Sequence, residues 1–388
     1  MGKDDLNYMC NLHEYKKKKT IAEDAVSGCL FGGAIGDALG YPVEFSKYKN
    51  IIFEYGEEGI TEFDLRHGGK AMISDDTQMT LYTANALLYG ETQKNITDID
   101  DKNIVDYIFK AYQNWYYTQI SKEVGFDERI CWIYNIDVLH ASRAPGNTCM
   151  SAIATSDGMG STENEINSSK GCGGVMRVAP IGCYYAIHGD AIKAIKIGAE
   201  AAALTHGHPL GYITSGFMSC LVYNIIKNKL DETQKSLLDI IYETMSSVKD
   251  IYGNNQYYID LEEIIIKAIN LSKEPNDDIT EIEDIGEGWI AEEALAISIY
   301  SALRYENDFH KAMICSVNHG GDSDSTGAIT GNILGAYLGL SNIDSDGSLI
   351  NKLEAYDVIF EIAQDLANTD IQKDLKWLSK YVYCNYGE

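Results

Sequence analysis

The sequence predicts an all-α protein. Only five prolines interrupt 388 residues, several stretches repeat apolar residues at three- and four-residue spacing, and strand-like alternation is scarce. That spacing marks helices with one buried face. The first stretch, Ala22 to Leu39, sets Ala22, Ala25, Val26, Cys29, Leu30, Ala34 and Ala38 on one side. A helix-like segment follows at Gln78 to Tyr89, and further helices are expected at Ala191 to Leu204, Ile290 to Leu303 and Thr326 to Leu340. Between them, Arg143 to Gly174 is rich in Gly, Ser, Thr and Asn and reads as a long structured loop. Residues 228–288 are acidic, polar and weakly periodic, and read as helices carrying an insertion. Residues 1–20 read as a polar extension. No fixed-period repeat and no Ser/Gly linker divides the rest, so 21–388 reads as a single helical domain.

Charge and composition narrow the function. Lys plus Arg is 31 against 58 Asp plus Glu, a net −27. A duplex nucleic-acid partner is not expected, because phosphate binding needs a basic surface and only the Lys16 to Lys19 run is strongly basic. Hydrophobic residues are 45% and charged residues 23%, the composition of a globular protein. The nine cysteines form no CxxC pair and read as reduced thiols. Glu23 and Asp24 stand where a signal peptide would be apolar, no apolar run reaches about 18 residues, and Leu6 replaces the Ser or Thr of a myristoylation signal. A cytoplasmic protein without membrane contact is the expectation.

Four of the five prolines, Pro42, Pro145, Pro180 and Pro209, lie in short segments that also hold glycine, where binding residues are expected on loops held by a helical scaffold. Ser74-Asp75-Asp76-Thr77 precedes a helix and can be an N-cap, or its two carboxylates can each bind a cation beside the Ser hydroxyl. His319 to Gly327 holds Asp322, Asp324 and Ser325 and also leads into a helix. An EF-hand is excluded, because the twelfth position is Ile333 and not Glu. Its all-oxygen set suits a hard cation or a capping turn. In Gly32 to Glu44 the glycines read as helix-packing residues, and Glu44, in a turn fixed by Pro42, as the chemical one.

Lys170 to Arg177, with Ala144 to Thr148 upstream, can cradle phosphate on glycine N–H groups aided by a following helix, or be a plain loop. Met176 excludes a dinucleotide fingerprint there, and no GxxxxGK[ST] occurs. In Thr205-His206-Gly207-His208-Pro209 one structural and one ligand-touching histidine are expected. Nothing local marks Cys172 as an activated nucleophile, and GxSxG is absent.

The order of these segments carries more than any one of them. A helix with GDALGxPxE, then SDDT, a glycine loop ending in MRVAPIG, THGHP and GGDSDSTGAIxG resembles the ADP-ribosylglycohydrolase family from about residue 21 to 340. That family includes hydrolases that remove ADP-ribose from arginine or serine, and the enzyme that reactivates dinitrogenase reductase. The resemblance implies a compact, orthogonal multi-helix bundle in one domain. It implies a two-metal site of Glu44, Ser74, Asp75, Asp76, Asp322, Asp324 and Ser325. It also implies a cleft for ADP-ribose lined by Gly146, Asn147, Gly171, Cys172, Gly173, Met176 and His206. Cys172 departs from relatives that place Asn before the paired glycines. The Gly-Cys-Gly form, Pro145 to Cys149 and the GGDSDST run look like the arginine-directed branch, and Gly286-Glu287-Gly288-Trp289 resembles bacterial members and points to leaving-group specificity.

The expected activity is therefore hydrolysis of the bond between ADP-ribose and a modified protein side chain, arginine first. Two Mg²⁺ would be the cofactors, with Mn²⁺ as the alternative. Five clustered carboxylates, Glu44, Asp75, Asp76, Asp322 and Asp324, would repel one another unless cations were present. Glu44, Asp75 and Asp324 are the expected catalytic residues, with Glu44 alternating between metal ligand and proton acceptor. A two-metal phosphoesterase would use the same oxygens, and a silent ADP-ribose or toxin-binding protein would keep the fold alone.

Overall fold

The computed structural model describes residues 20–66, 68–97, 104–123, 125, 128–155, 159–368 and 374–384. The polar extension lies outside them except for Thr20, which caps the first helix reciprocally with Glu23. The described residues form seventeen α-helices and no strand. In order these are α1 (Ile21–Gly40), α2 (Tyr48–Tyr55), α3 (Asp75–Thr97), α4 (Ile104–Gln119), α5 (Asn147–Ala154), α6 (Ala179–His188), α7 (Ala191–Ala203), α8 (Pro209–Leu230) and α9 (Leu237–Tyr252). There follow α10 (Gln256–Leu271), α11 (Asp278–Ile285), α12 (Ala291–Arg304), α13 (Phe309–Val317), α14 (Ser323–Leu338), α15 (Leu340–Ile343), α16 (Tyr356–Ala367) and α17 (Leu375–Tyr381).

The pairing of α1 with α14 organises the rest. Gly28, Gly32, Gly36 and Gly40 recur every four residues along α1, as do Gly327, Gly331 and Gly335 along α14, so each set forms one stripe. The stripes meet antiparallel. A Cβ at Gly28 would lie 2.1 Å from the Gly335 carbonyl oxygen, one at Gly32 2.2 Å from that of Gly331, and one at Gly36 2.0 Å from that of Gly327. Backbone touches backbone, which only glycine permits. This contact sets the C-terminal end of α1, with Glu44 just beyond it, against the N-terminal end of α14, where Asp322 to Ser325 lie.

Helix α8 runs through the core, burying Ile213, Phe217, Leu221 and Ile225. By length and composition it is apolar enough to cross a membrane, but 89% of its most apolar window is buried inside the protein. It therefore corrects the expectation that no apolar run reaches that length. The eight described cysteines are free thiols.

Two further segments differ from expectation in part: the first is helical, as read, but its periodicity is not weak. Residues 228–288 hold three helices, α9 to α11, packed on α8 and α12. In α9, Leu237, Ile240, Ile241, Thr244, Met245 and Val248 form a continuous buried stripe, so its periodicity is strong and the surrounding acidic residues masked it. The stretch 143–174 is not all loop: it contains α5 and a 3-10 turn, Cys172–Gly174, each too short for a periodic signal.

Candidate active site

Three backbone features bring the acidic residues together. A 3-10 turn, Tyr41–Val43, begins with Pro42 inside it and delivers Glu44 into the interior. Ser74 precedes α3, and its Oγ accepts the Asp76 N–H at 3.2 Å, so it does cap the helix. Asp75 and Asp76 form the first turn of α3, while α14 opens with Asp322 as N-cap followed by Asp324 and Ser325. One carboxylate oxygen from each of Glu44, Asp322 and Asp324 lies within 4.8 Å of the others.

Six of the seven expected ligands line one cleft of about 460 Å³, together with Asn147, Gly146, Gly171, Cys172, Gly173, Met176 and His206. Ser74 is the exception. It is fully buried behind the wall, with its hydroxyl engaged by the Asp76 N–H and by Asp324. Beside Asp75, whose Oδ2 accepts the Gly146 N–H at 3.2 Å, α5 starts without a side-chain cap, which leaves its first-turn N–H groups for an anionic ligand. The dipole expected from the helix after the glycine loop comes instead from α5, because α6 begins at Ala179, away from the cleft. The two histidines have different surroundings. His206 lines the cleft, whereas His208 accepts the Leu210 N–H at 3.1 Å and caps α8.

The loop from Gly286 to Ile290 ties the walls together. Its Glu287 carbonyl accepts the Asp322 N–H at 2.8 Å, and its Trp289 carbonyl accepts the Cys172 N–H at 3.1 Å. Glu293 holds the loop from below by accepting the N–H groups of Glu287 and Gly288 at 3.0 and 3.2 Å. Gly288, at φ +83°, has the left-handed conformation that favours glycine. Trp289 thereby stacks on Phe45 at the acidic end of the cleft, with ring centroids 5.9 Å apart and planes 15° from parallel.

Two residues were missed by the motif reading. Phe45 directly follows Glu44, yet its pairing with Trp289 joins distant segments and has no local signature. Asp37 is fully buried on α1 and accepts the Ser74 N–H at 3.0 Å, the Thr77 N–H at 3.1 Å and the Thr77 hydroxyl. It fixes the start of α3. The available signal was an acid within an otherwise small and apolar helix, Gly36-Asp37-Ala38.

The electrostatics of the cluster are one-sided. Burial, then Asp324, pushes Asp37 up to about 7, and burial, then Asp324 and Asp322, pushes Glu44 up to about 10. Burial followed by Asp324 likewise raises Asp75, Asp76 and Asp322, and burial raises Asp324. Cys172 donates its S–H to Asp322 Oδ2 at 2.6 Å, and burial and that carboxylate hold the thiol well above its ordinary value, the opposite of an activated nucleophile. Glu44 Oε2 and Asp76 Oδ2 are buried without a hydrogen-bond partner. Unpaired buried carboxylates need protons or cations. An all-oxygen set with two orphan oxygens fits hard divalent ions such as Mg²⁺ or Mn²⁺.

The profile of the ADP-ribosylglycohydrolase family matches residues 18–375. An uncharacterised protein of Archaeoglobus fulgidus is 27% identical, covering 81% of this chain and 88% of its own. ADP-ribosylhydrolase ARH1 of Dictyostelium discoideum is 25% identical over 90% and 95% of the two chains, and ADP-ribosylhydrolase ARH3 of Bos taurus 22% over 87% and 91%. A solved structure, the ADP-ribosylglycohydrolase-related protein complex, superposes with a TM-score of 0.57 at 21% identity over 89% of this chain and 98% of that one, which is a likeness of fold.

Proposed function

The chain belongs to the ADP-ribosylglycohydrolase family of hydrolases acting on ADP-ribose linkages, and from that premise we propose that it cleaves ADP-ribose from a modified protein side chain, arginine first. The observation that carries this reading is the meeting of two acidic helix starts and Glu44 in a cleft that also holds a glycine-rich loop and the uncapped start of α5. Diphosphate suits the loop and helix N–H groups, and the reacting ribose the carboxylates.

Glu44, Asp75, Asp76, Asp322, Asp324 and Ser325 would hold the divalent ions, with Ser74 supporting from behind. When bound, a metal pair supplies charge neutralisation and lowers the pKa of an attacking water. In the reaction water adds to ribose C1″ while the C1″–N bond breaks, and its electron pair leaves with the guanidine. Glu44 takes the water proton. Developing positive charge on the ribose faces Asp75 and Asp324, which stabilise it. A guanidinium substituent departs as neutral guanidine, which removes the need for a separate acid. Phe45 and Trp289, stacked beside Glu44, offer ring faces to such a cation, and the Gly-Cys-Gly loop also supports arginine.

The test is to offer matched arginine-linked and serine-linked ADP-ribosyl peptides with Mg²⁺ or with EDTA. Release from the arginine peptide, in Mg²⁺ only and lost in Glu44→Gln, is expected. Faster release from the serine peptide would reassign the linkage, and release from neither would reject the function.

A further inference from the structure

Arg177 is fully buried, and among the described residues no carboxylate pairs with it. Its guanidinium lies 4.1 Å over the Tyr112 ring, donates from Nη1 to the sulfurs of Met79 and Cys149, each at 3.4 Å, and donates from Nη2 to the Ala201 carbonyl at 3.1 Å. Its shortest bond, 2.6 Å, goes from Nη2 to Thr205 Oγ1. A buried cation without a counter-ion is costly. What it does here is fix the role of one hydroxyl.

Arginine only donates, so Thr205 Oγ1 must accept from it and has a single proton to give. Three acceptors are within reach. One is the Cys149 sulfur, a weak acceptor that already takes a hydrogen bond from Arg177 Nη1. The Ala202 carbonyl lies 3.4 Å away and already accepts the N–H groups of Thr205 and His206 at 3.0 and 2.9 Å, which occupies its two lone pairs. His206 Nδ1 lies 2.8 Å away. The hydroxyl proton therefore goes to His206 Nδ1, and the ring's own proton must sit on Nε2. That nitrogen faces the glycine loop: a Cβ at Gly171 would lie 3.3 Å from it, and one at Gly173 3.4 Å. Burial, then Arg177, holds the ring down at about 3, so it stays neutral.

We infer that Thr205, oriented by the buried guanidinium of Arg177, is a positioning residue that locks His206 in the Nε2–H tautomer and so adds one fixed neutral donor to the glycine side of the cleft. The ligand it serves is the diphosphate of an ADP-ribosyl group, and this part rests on the function proposed above. The tautomer does not rest on it.

The test uses the full chain labelled with ¹⁵N-histidine. Long-range proton–nitrogen correlation, with the His206 signals assigned by their loss in His206→Asn, reads the tautomer directly. A neutral Nε2–H ring in the wild type, retained in Thr205→Ser and shifted toward Nδ1–H in Thr205→Val, is expected. An Nδ1–H ring in the wild type, or a Thr205→Val spectrum like the wild type, would overturn the lock; if Thr205→Val does not fold, the wild-type tautomer and Thr205→Ser decide it. In calorimetry with free ADP-ribose, Thr205→Val should bind about tenfold more weakly, the size of one lost hydrogen bond to a charged group, and Thr205→Ser should recover the affinity. Equal affinities would remove the donor's role in binding. If the wild type bound no ADP-ribose at all, the proposed function would fail while the tautomer result stood separately.

Discussion

Replacing Gly36 by alanine tests whether the glycine seam builds the acidic site. The new Cβ would lie 2.0 Å from the Gly327 carbonyl oxygen and 2.3 Å from its carbon, whereas ordinary contact begins at 3.4 Å. The difference, 3.4 − 2.0, means that α1 and α14 must separate by about 1.4 Å along that line. Both partners are backbone, so no side chain can swing away, and overpacking of this kind costs about 3 kcal/mol. Unfolding entropy of roughly 2.1 cal/mol/K per residue gives about 0.8 kcal/mol/K for this chain, so Tm should fall by about 4 °C. The shift also pulls Glu44 from Asp322 and Asp324, with which it shares an oxygen cluster no wider than 4.8 Å. Divalent-ion affinity by calorimetry should therefore drop about tenfold or more. Gly125→Ala, with nothing within 4 Å of its Cβ, is the control and should change neither quantity. Unchanged Tm and unchanged ion affinity in Gly36→Ala would refute the seam argument.

Three further outcomes are expected. In EDTA, Tm should fall between pH 7 and 9: Glu44 is held at about 10 in the native cleft against an ordinary 4.5, so its contribution is full below the unfolded value and is lost as pH climbs toward the folded one, by up to about 1.4 kcal/mol per pH unit. His206 and His319, held at about 3 and about 4, are neutral in the native state throughout, and their unfolded rings, at an ordinary 6.5, lose the rest of their charge by about pH 8 and oppose the slope only at the start of the window; saturating Mg²⁺ should flatten the slope, and a Tm in EDTA that rises with pH from 8 to 9 would contradict the assignment. Trp289→Ala should raise KM for an arginine-linked peptide about tenfold while leaving the Kd for free ADP-ribose unchanged, and equal losses in both would place the ring elsewhere on the substrate. Lys380 is buried and paired with Asp365, which also accepts the Tyr381 hydroxyl at 2.6 Å, so Lys380→Met should cost about 3–5 kcal/mol in chemical denaturation and Asp365→Asn should restore part of it; a fully stable single variant would show the pair to be dispensable.

The legible part of the site is the part written locally. Asp75 and Asp324 each follow a polar turn and open a helix, so their residue types and positions pointed to hard-cation chemistry before any fold was known. The glycines of α1 from Gly32 on were readable as packing residues, though the matching row on α14 and its meeting with α1 were not. What escaped depends on neighbours distant in the chain. Asp37 looks like one more helical position until Ser74 and Thr77 are placed over it, and Phe45 gains meaning only when the loop held by Glu293 brings Trp289 against it. The order Thr205-His206 carried no hint of Arg177 behind it. In α9 a regular apolar stripe was hidden by acidic residues on the exposed face, because average composition dilutes a signal that lies in spacing. The cleft residues Gly146, Asn147 and Gly171 to Gly173 were found through the likeness of the whole motif order; glycine content alone left loop and cradle equally open.

The most direct measurement is electron paramagnetic resonance of Mn²⁺ added to the chelator-treated protein, which counts bound ions and reports whether they are neighbours. The acidic wall should take up two Mn²⁺ per chain with a spin-coupled spectrum, Asp324→Ala should lose the coupling, and Mg²⁺ should compete. No tight uptake, or two uncoupled ions undisturbed by Asp324→Ala, would contradict the claim that these helix starts form one binuclear centre.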